Sequence, residues 1–172
     1  MKRTAAAKNK ILRLAPSHSA PRKMNGDSVD IGLSPKQREA VHRALNITLA
    51  NEYVLLTKTK KAHWDVVGPQ FMTLHKLWDQ QYAKVGDLAD ETAERIRMLG
   101  GFPLGTLQGF LAATELIEEP GNVPSATDGV RMLLHDHEKI VKSVRKAIEQ
   151  CDDKWGDAGT ADFLTGVMEA HE

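Results

Sequence analysis

The sequence predicts an all-α protein: a four-helix bundle with a long crossover connection that carries a short helix. Three observations predict it. Apolar residues recur at helical spacing through four segments, capping and breaker residues mark the ends of those segments, and no run alternates apolar and polar residues as a half-buried strand does. The 172 residues suffice for one domain with its own core. The reading divides the chain into a flexible basic tail, 1–33, and a bundle, 34–172.

The first helix opens at Ser34-Pro35-Lys36-Gln37. Ser is a good N-cap, Pro suits the first helical position, and Gln37 completes a capping box. Val41, Leu45, Leu49 and Leu56 continue it to about Asp65, before Gly68-Pro69. A second helix starts near Gln70 and ends at Gly100-Gly101, with Pro103 barring continuation. At about 30 residues it is roughly 45 Å long. Residues 102–124 are rich in Gly and Pro and form the connection, with Leu107–Thr114 as its short helix. Ser125-Ala126-Thr127-Asp128 opens a third helix to about Asp153, with Leu133, Leu134, Ile140, Val141, Val144 and Ile148 as its buried stripe. A fourth occupies about Thr160–Glu172. The long link between the second and third helices makes the bundle a crossover type.

Composition excludes some classes. No run of about 18 apolar residues exists, so no transmembrane helix is expected. The one cysteine, Cys151, cannot close an internal disulfide, and it reads as a spectator. A reducing, cytoplasmic setting fits. The net charge of zero is unevenly placed. Residues 1–30 hold seven cations (Lys2, Arg3, Lys8, Lys10, Arg13, Arg22 and Lys23) against Asp27 and Asp30, a net +5, which leaves −5 on the rest. Three readings of this arm stand: a phosphate-backbone binder working by counterion release, an organelle transit segment, or a solubilising tail.

The second helix carries the chemistry. His75 and Asp79, and Asp90 and Glu94, are spaced i,i+4. With His75 at zero, the others fall at about 40°, 60° and 100°, so all four share one stripe. The two pairs cannot share an ion, because Asp79 and Asp90 lie roughly 16 Å apart along the axis. A second copy of the helix, antiparallel about a point between residues 84 and 85, sets His75 against the partner's Glu94 and Asp79 against the partner's Asp90. Ala83 and Gly86 straddle that point and offer little bulk there. The geometry therefore predicts a two-fold dimer with two mixed His/carboxylate sites. His63, at the end of the first helix, can fold over to supply a second imidazole. Such a set suits Fe(II), Mn(II) or Zn(II). Trp64 and Trp78 adjoin ligands, and each reads either as an electron source or as core. The competing reading of the stripe is a solvated face, ion-paired with Lys76 and Arg97. His135 and His137 point about 200° apart and are poor partners for one metal. His171 is terminal and uninformative.

The run His63-Trp64-Asp65-Val66-Val67-Gly68-Pro69-Gln70-Phe71-Met72-Thr73-Leu74-His75-Lys76-Leu77-Trp78-Asp79 resembles the signature of the Dps family, the DNA-binding proteins from starved cells. Asp90-Glu91-Thr92-Ala93-Glu94-Arg95 with Leu99-Gly100-Gly101 is similar to its second block, and Gly159–Thr165 to a third. The likeness covers about 35–172. It implies a ferritin-like bundle assembling into a dodecameric shell of two-fold dimers. It implies oxidation of Fe(II) to Fe(III), preferably by hydrogen peroxide, with storage of ferric mineral and protection of DNA. The ferroxidase ligands it implies are His63, His75 and Asp79 of one chain with Asp90 and Glu94 of its mate. It also implies iron-entry pores, for which Asp162 and Asp157 are the candidates; Asp162 reads equally as a helix N-terminal acid. Two departures stand out: Asp65 replaces a frequent Asn, and relatives usually continue past the final His-Glu, so the last helix reads as short, through truncation or weaker assembly contacts. DNA binding varies in the family with the tail. The alternative function is accordingly a nucleoid-associated DNA-binding protein whose metal binding is secondary.

Overall fold

The first cap forms where the sequence places it. In the computed structural model, which describes residues 29–172, the Gln37 side chain accepts from the Ser34 amide and the Ser34 hydroxyl accepts from the Gln37 amide. From that capping box α1 runs over Pro35–Asp65. It is followed by α2 (Phe71–Met98), α3 (Leu107–Ala113), α4 (Ala126–Glu149), a π-helical turn (Gln150–Lys154) and α5 (Ala158–His171). Among the described residues there is no strand, and no helix is long and apolar enough to cross a membrane.

The four long helices form the bundle, with α1 packed chiefly on α2 and α4 chiefly on α5. Leu45, Leu49 and Leu55 of α1 meet Val85 and Ile96 of α2, Ile140 and Val144 of α4, and Leu164 and Val167 of α5 in one buried core. α2 ends in a Schellman motif: Gly101 donates to the Ile96 carbonyl, Gly100 donates to that of Arg97, and Gly100 sits at φ 80°. Gly101 also has to be glycine for space. A Cβ there would come within 2.8 Å of the His42 ring on α1.

The crossover between α2 and α4 is pinned to α1 by two asparagines. Asn46 Oδ1 accepts from the Leu104 amide, and Asn51 Oδ1 accepts from the Glu115 amide and the Thr114 hydroxyl. The stacked rings of Tyr53 and Phe110, 4.2 Å apart, seat α3 on α1. A structureless connection of this length is uncommon in a compact domain, and these bonds account for its order.

Two differences from the sequence reading concern α4 and α5. The third helix does not run unbroken to Asp153: the π-helical turn takes over at Gln150 and buries Cys151, whose thiol burial pushes up to about 12. A thiol so held stays protonated and inert, in keeping with a spectator. The second difference is His171. Far from uninformative, it is buried and donates or accepts at both ring nitrogens: Nε2 meets Glu52 Oε1 at 2.9 Å, and Nδ1 meets His137 Nδ1 at 2.9 Å. Glu52 is fully buried at the middle of α1, so His171 supplies the bond that makes its burial tolerable. His135 is exposed, while its neighbour His137 belongs to this core network. A second buried pair, Lys58–Asp136 at 2.6 Å, ties α1 to α4, and Lys58 also donates to the Ile117 carbonyl.

Two outcomes are expected. Replacing His171 with Ala strands the Glu52 carboxylate in the core and should lower unfolding free energy by about 3–5 kcal/mol in urea titration, with Glu52→Gln milder. Burial, helped by the neighbouring His171, holds the His137 imidazole down to about 4. The unfolded chain takes up that proton near pH 6.5 and the folded chain does not, so stability should fall as pH drops from about 6.5 towards 4. His137→Gln should flatten that part of the slope; an unchanged slope rules the group out as its source.

Candidate metal centre

α1 ends and α2 begins around the turn Val66–Gln70, where Gly68 takes φ 97° and lets the chain reverse tightly. That reversal sets the last turn of α1 against the first turn of α2. His63 and His75 then stack, with ring centroids 3.6 Å apart. Each ring bonds the other residue's backbone: His63 Nδ1 donates to the His75 carbonyl at 2.8 Å, and His75 Nδ1 donates to the His63 carbonyl at 2.9 Å. With both Nδ1 atoms acting as donors, both Nε2 lone pairs are free. This is the arrangement in which an imidazole ligates a metal while its other nitrogen holds it in place. Phe71 stacks on the outer face of His75 at 4.9 Å.

The first carboxylate stands beside this pair. Asp79 is exposed, one turn beyond His75 on α2, and its Oδ1 accepts a 2.5 Å bond from the Tyr82 hydroxyl. That bond is the main cause pushing the Tyr82 phenol above its usual value, so the hydroxyl keeps its proton. The Tyr82 ring also meets His63 edge-on at 5.5 Å. Tyr82 is not among the residues that the sequence singles out. Its i+3 relation to Asp79 was the available signal.

Asp90 and Glu94 lie on the same face of α2, exposed, roughly 16 Å and more from Asp79 along the axis. Among the described residues, no three His, Cys, Asp or Glu side chains of one subunit gather closely enough to hold an ion. Nor does any of Asp79, Asp90 and Glu94 pair with a Lys or Arg of those residues. Arg97, which the solvated-face reading would engage, instead donates to the Gly101 carbonyl and covers the Phe102 ring. One chain thus presents two prepared imidazoles and a carboxylate at one end of α2, and two unpaired carboxylates at the other.

Residues 42–172 match the family model of the ferritin-like domain. The chain is 35% identical over 135 residues to a DNA protection during starvation protein of Agrobacterium fabrum, covering 78% of this chain and 83% of that one. The Dps protein of Vibrio cholerae superposes with a TM-score of 0.79 at 26% identity, over 86% of this chain and 92% of that one. The chain belongs to the Dps family. DpsC of Streptomyces coelicolor gives a TM-score of 0.81 at 29% identity, over 84% of each chain. An uncharacterized low temperature-induced protein of Nostoc sp. is 51% identical over 144 residues, 84% of this chain and 80% of that one.

Within the Dps fold the remaining candidates fall into distinct settings. Trp64 follows His63 and is 68% exposed in the subunit, so it is not core. Trp78 is core: it is 3% exposed, and its ring closes on Gly129 of α4. Asp65 pairs with Lys61, a turn away on α1. Gly86 differs from its expected part in a helix crossing. Its Cα faces α1, where a Cβ would lie 3.4 Å from Leu56, whereas Ala83 is exposed. Asp157 is also differently employed. It caps α5 by accepting from the Thr160 amide and hydroxyl, pairs with Arg95 at 3.3 Å, and is 6% exposed. A carboxylate so bound inside the subunit is unavailable to a pore wall. Asp162 is exposed on α5. The tail cations Lys2, Arg3, Lys8, Lys10, Arg13, Arg22 and Lys23 lie outside the described residues.

Proposed function

We propose that this Dps-family chain oxidises Fe(II), preferably with hydrogen peroxide, at sites shared between two-fold related subunits, and stores the ferric product inside a dodecameric shell. The observation that carries the reading is the reciprocal bonding of His63 and His75, which engages both Nδ1 atoms and leaves both Nε2 atoms without a partner among the described residues. In each site His63, His75 and Asp79 of one chain meet Asp90 and Glu94 of its mate. The antiparallel register of α2 on α2 supplies the acids that a single chain cannot bring.

Iron enters as substrate. Two imidazoles and up to three carboxylates accept Fe(II), and the anionic oxygens favour the Fe(III) product. Two Fe(II) ions give one electron each; peroxide takes both with two protons, its O–O bond breaks, and two waters form. Pairing the electrons in this way releases no hydroxyl radical, which is the chemical sense of protecting DNA. The Vibrio cholerae neighbour is described as one of the ferritin-like diiron-carboxylate proteins, which supports iron. Zn(II) and Mn(II), which the donor set alone also admits, gain no support from the relatives. Trp64, exposed beside His63, is the candidate electron source at the site, and Asp162 is the remaining candidate for an entry pore.

The second reading is nucleic-acid binding through the basic arm, with metal chemistry secondary. It rests on the +5 charge of residues 1–30 and gains support from relatives named for DNA protection during starvation. Its setting is the cytoplasm, at the nucleoid.

Mixing two inactive chains tests the shared site. His75→Ala and Glu94→Ala should each abolish peroxide-dependent Fe(II) oxidation. Co-refolding the two variants puts both lesions in one site of a mixed dimer and leaves the other intact, so about a quarter of the wild-type rate should return on random pairing. No recovery, with shells of normal size, would mean that each site belongs to one chain. Removing residues 1–28 tests the arm. DNA retention and its salt dependence should disappear while Fe(II) oxidation persists. Retention by the shortened chain at low salt would place the DNA contact elsewhere.

A further inference from the structure

Tyr82 touches two of the candidate ligands, one on each helix. Its hydroxyl bonds Asp79 Oδ1 at 2.5 Å, its ring edge meets His63 at 5.5 Å and 83°, and Lys60 Nζ sits 5.1 Å from its centroid. The ring is therefore held by groups from both α1 and α2. Of the two oxygens of Asp79, one is engaged by the phenol, and Oδ2 is left for an ion.

Resting on the shared-site reading, we infer that Tyr82 is the positioning residue of the centre. Its hydroxyl presents Asp79 as a one-oxygen ligand, and its ring sets the angle of His63. The consequence is selectivity. A carboxylate free to offer both oxygens suits large, oxygen-seeking cations such as Ca(II), which accept bidentate carboxylates and high coordination numbers. A carboxylate with one oxygen occupied, beside two imidazoles, suits the smaller first-row ions that prefer nitrogen. The phenol thus biases the site towards the iron-sized ion. It does so without contacting the ion. The buried alternatives are already employed in folding: the Glu52–His171–His137 network and the Lys58–Asp136 pair hold helices together.

Two variants separate the two contacts. Tyr82→Phe keeps the ring on His63 and under Lys60 and removes only the bond to Asp79; Tyr82→Leu removes both. Anaerobic titration with Co(II), an imidazole- and carboxylate-binding stand-in that needs no oxidant, reads binding directly. Loss of an outer partner of a ligand typically weakens binding by roughly 10- to 100-fold. The phenylalanine variant should weaken binding within that range, and the leucine variant should weaken it further. The Co(II) visible bands should also change for the phenylalanine variant, because Asp79 then binds through both oxygens, and competition by Ca(II) should rise. Helix content and shell size should match the wild type. Wild-type affinity and spectrum in the phenylalanine variant, with His75→Ala failing to bind, would overturn the positioning role while leaving the site intact. Undiminished Co(II) binding by His75→Ala would sink the site assignment and this inference together.

Discussion

A straight helix cannot fold its own ends together, and α2 carries half of the proposed ligand set at each end. This constraint organises everything else in the molecule. The ends stay apart because α2 is a single rigid rod of 28 residues, closed at its far end by the Gly100–Gly101 motif and fixed along its length by Trp78, Val85, Leu88 and Ile96 in the core. A kink or a fray anywhere between Asp79 and Asp90 would alter the separation that a partner's helix has to match in the proposed site. Under the shared-site proposal the rigidity of the bundle is a condition of the chemistry, since an ion is ligated only when both ends of two helices hold their register.

The near end of α2 owes its order to the turn before it. Tight reversal through Gly68 puts His63 over His75, and the crossed Nδ1–H bonds then close on backbone carbonyls in the last turn of α1 and at the start of the second turn of α2. The carbonyl of His63 belongs to the last turn of α1, where helical carbonyls lack partners within the helix. The imidazole of His75 satisfies one of them. One contact therefore ends a helix and fixes the imidazole of a candidate ligand. The neighbouring Phe71, Tyr82 and Lys60 pack around the stacked pair, so the imidazoles are held from several sides before any ion arrives.

Most of the architecture was legible in the sequence because it is local. Ser34-Pro35 with Gln37, Gly68-Pro69, Gly100-Gly101 with Pro103, and Ser125 with Asp128 mark helix ends through backbone chemistry that acts within a few residues, and the helices end within a few positions of those marks. The stripe on α2 was legible for the same reason: i,i+4 spacing is a property of one helix. Contacts between helices were not. Nothing near His171 in the sequence signals that it meets Glu52, which lies 119 positions away. Asp157 reads as a candidate pore acid until Arg95 of α2 is seen beside it. Gly86 shows the limit of periodicity. The helical wheel puts it on the stripe, but close packing of α1 decides which way its bare Cα faces. The π-helical turn at Gln150–Lys154 has no sequence marker that distinguishes it from continued α-helix.

The carboxylates of the chain divide into two groups, and the division bears on function more than any count of acids does. Glu52, Asp136 and Asp157 are buried, and each has a His, Lys or Arg of the same subunit within bonding distance. Breaking one of those pairs leaves a charge in low dielectric, which a folded chain rarely tolerates. They are spent on holding helices together and are unavailable to ligands. Asp79, Asp90 and Glu94 are exposed and unpaired with any described cation, although Lys76, Lys84 and Arg97 share their helix. A face meant only to be solvated gains by interleaving opposite charges at i,i+4. A face that keeps three acids free, beside two imidazoles with bare Nε2 atoms, forgoes that gain; under the shared-site proposal a cation brought between two such faces restores it.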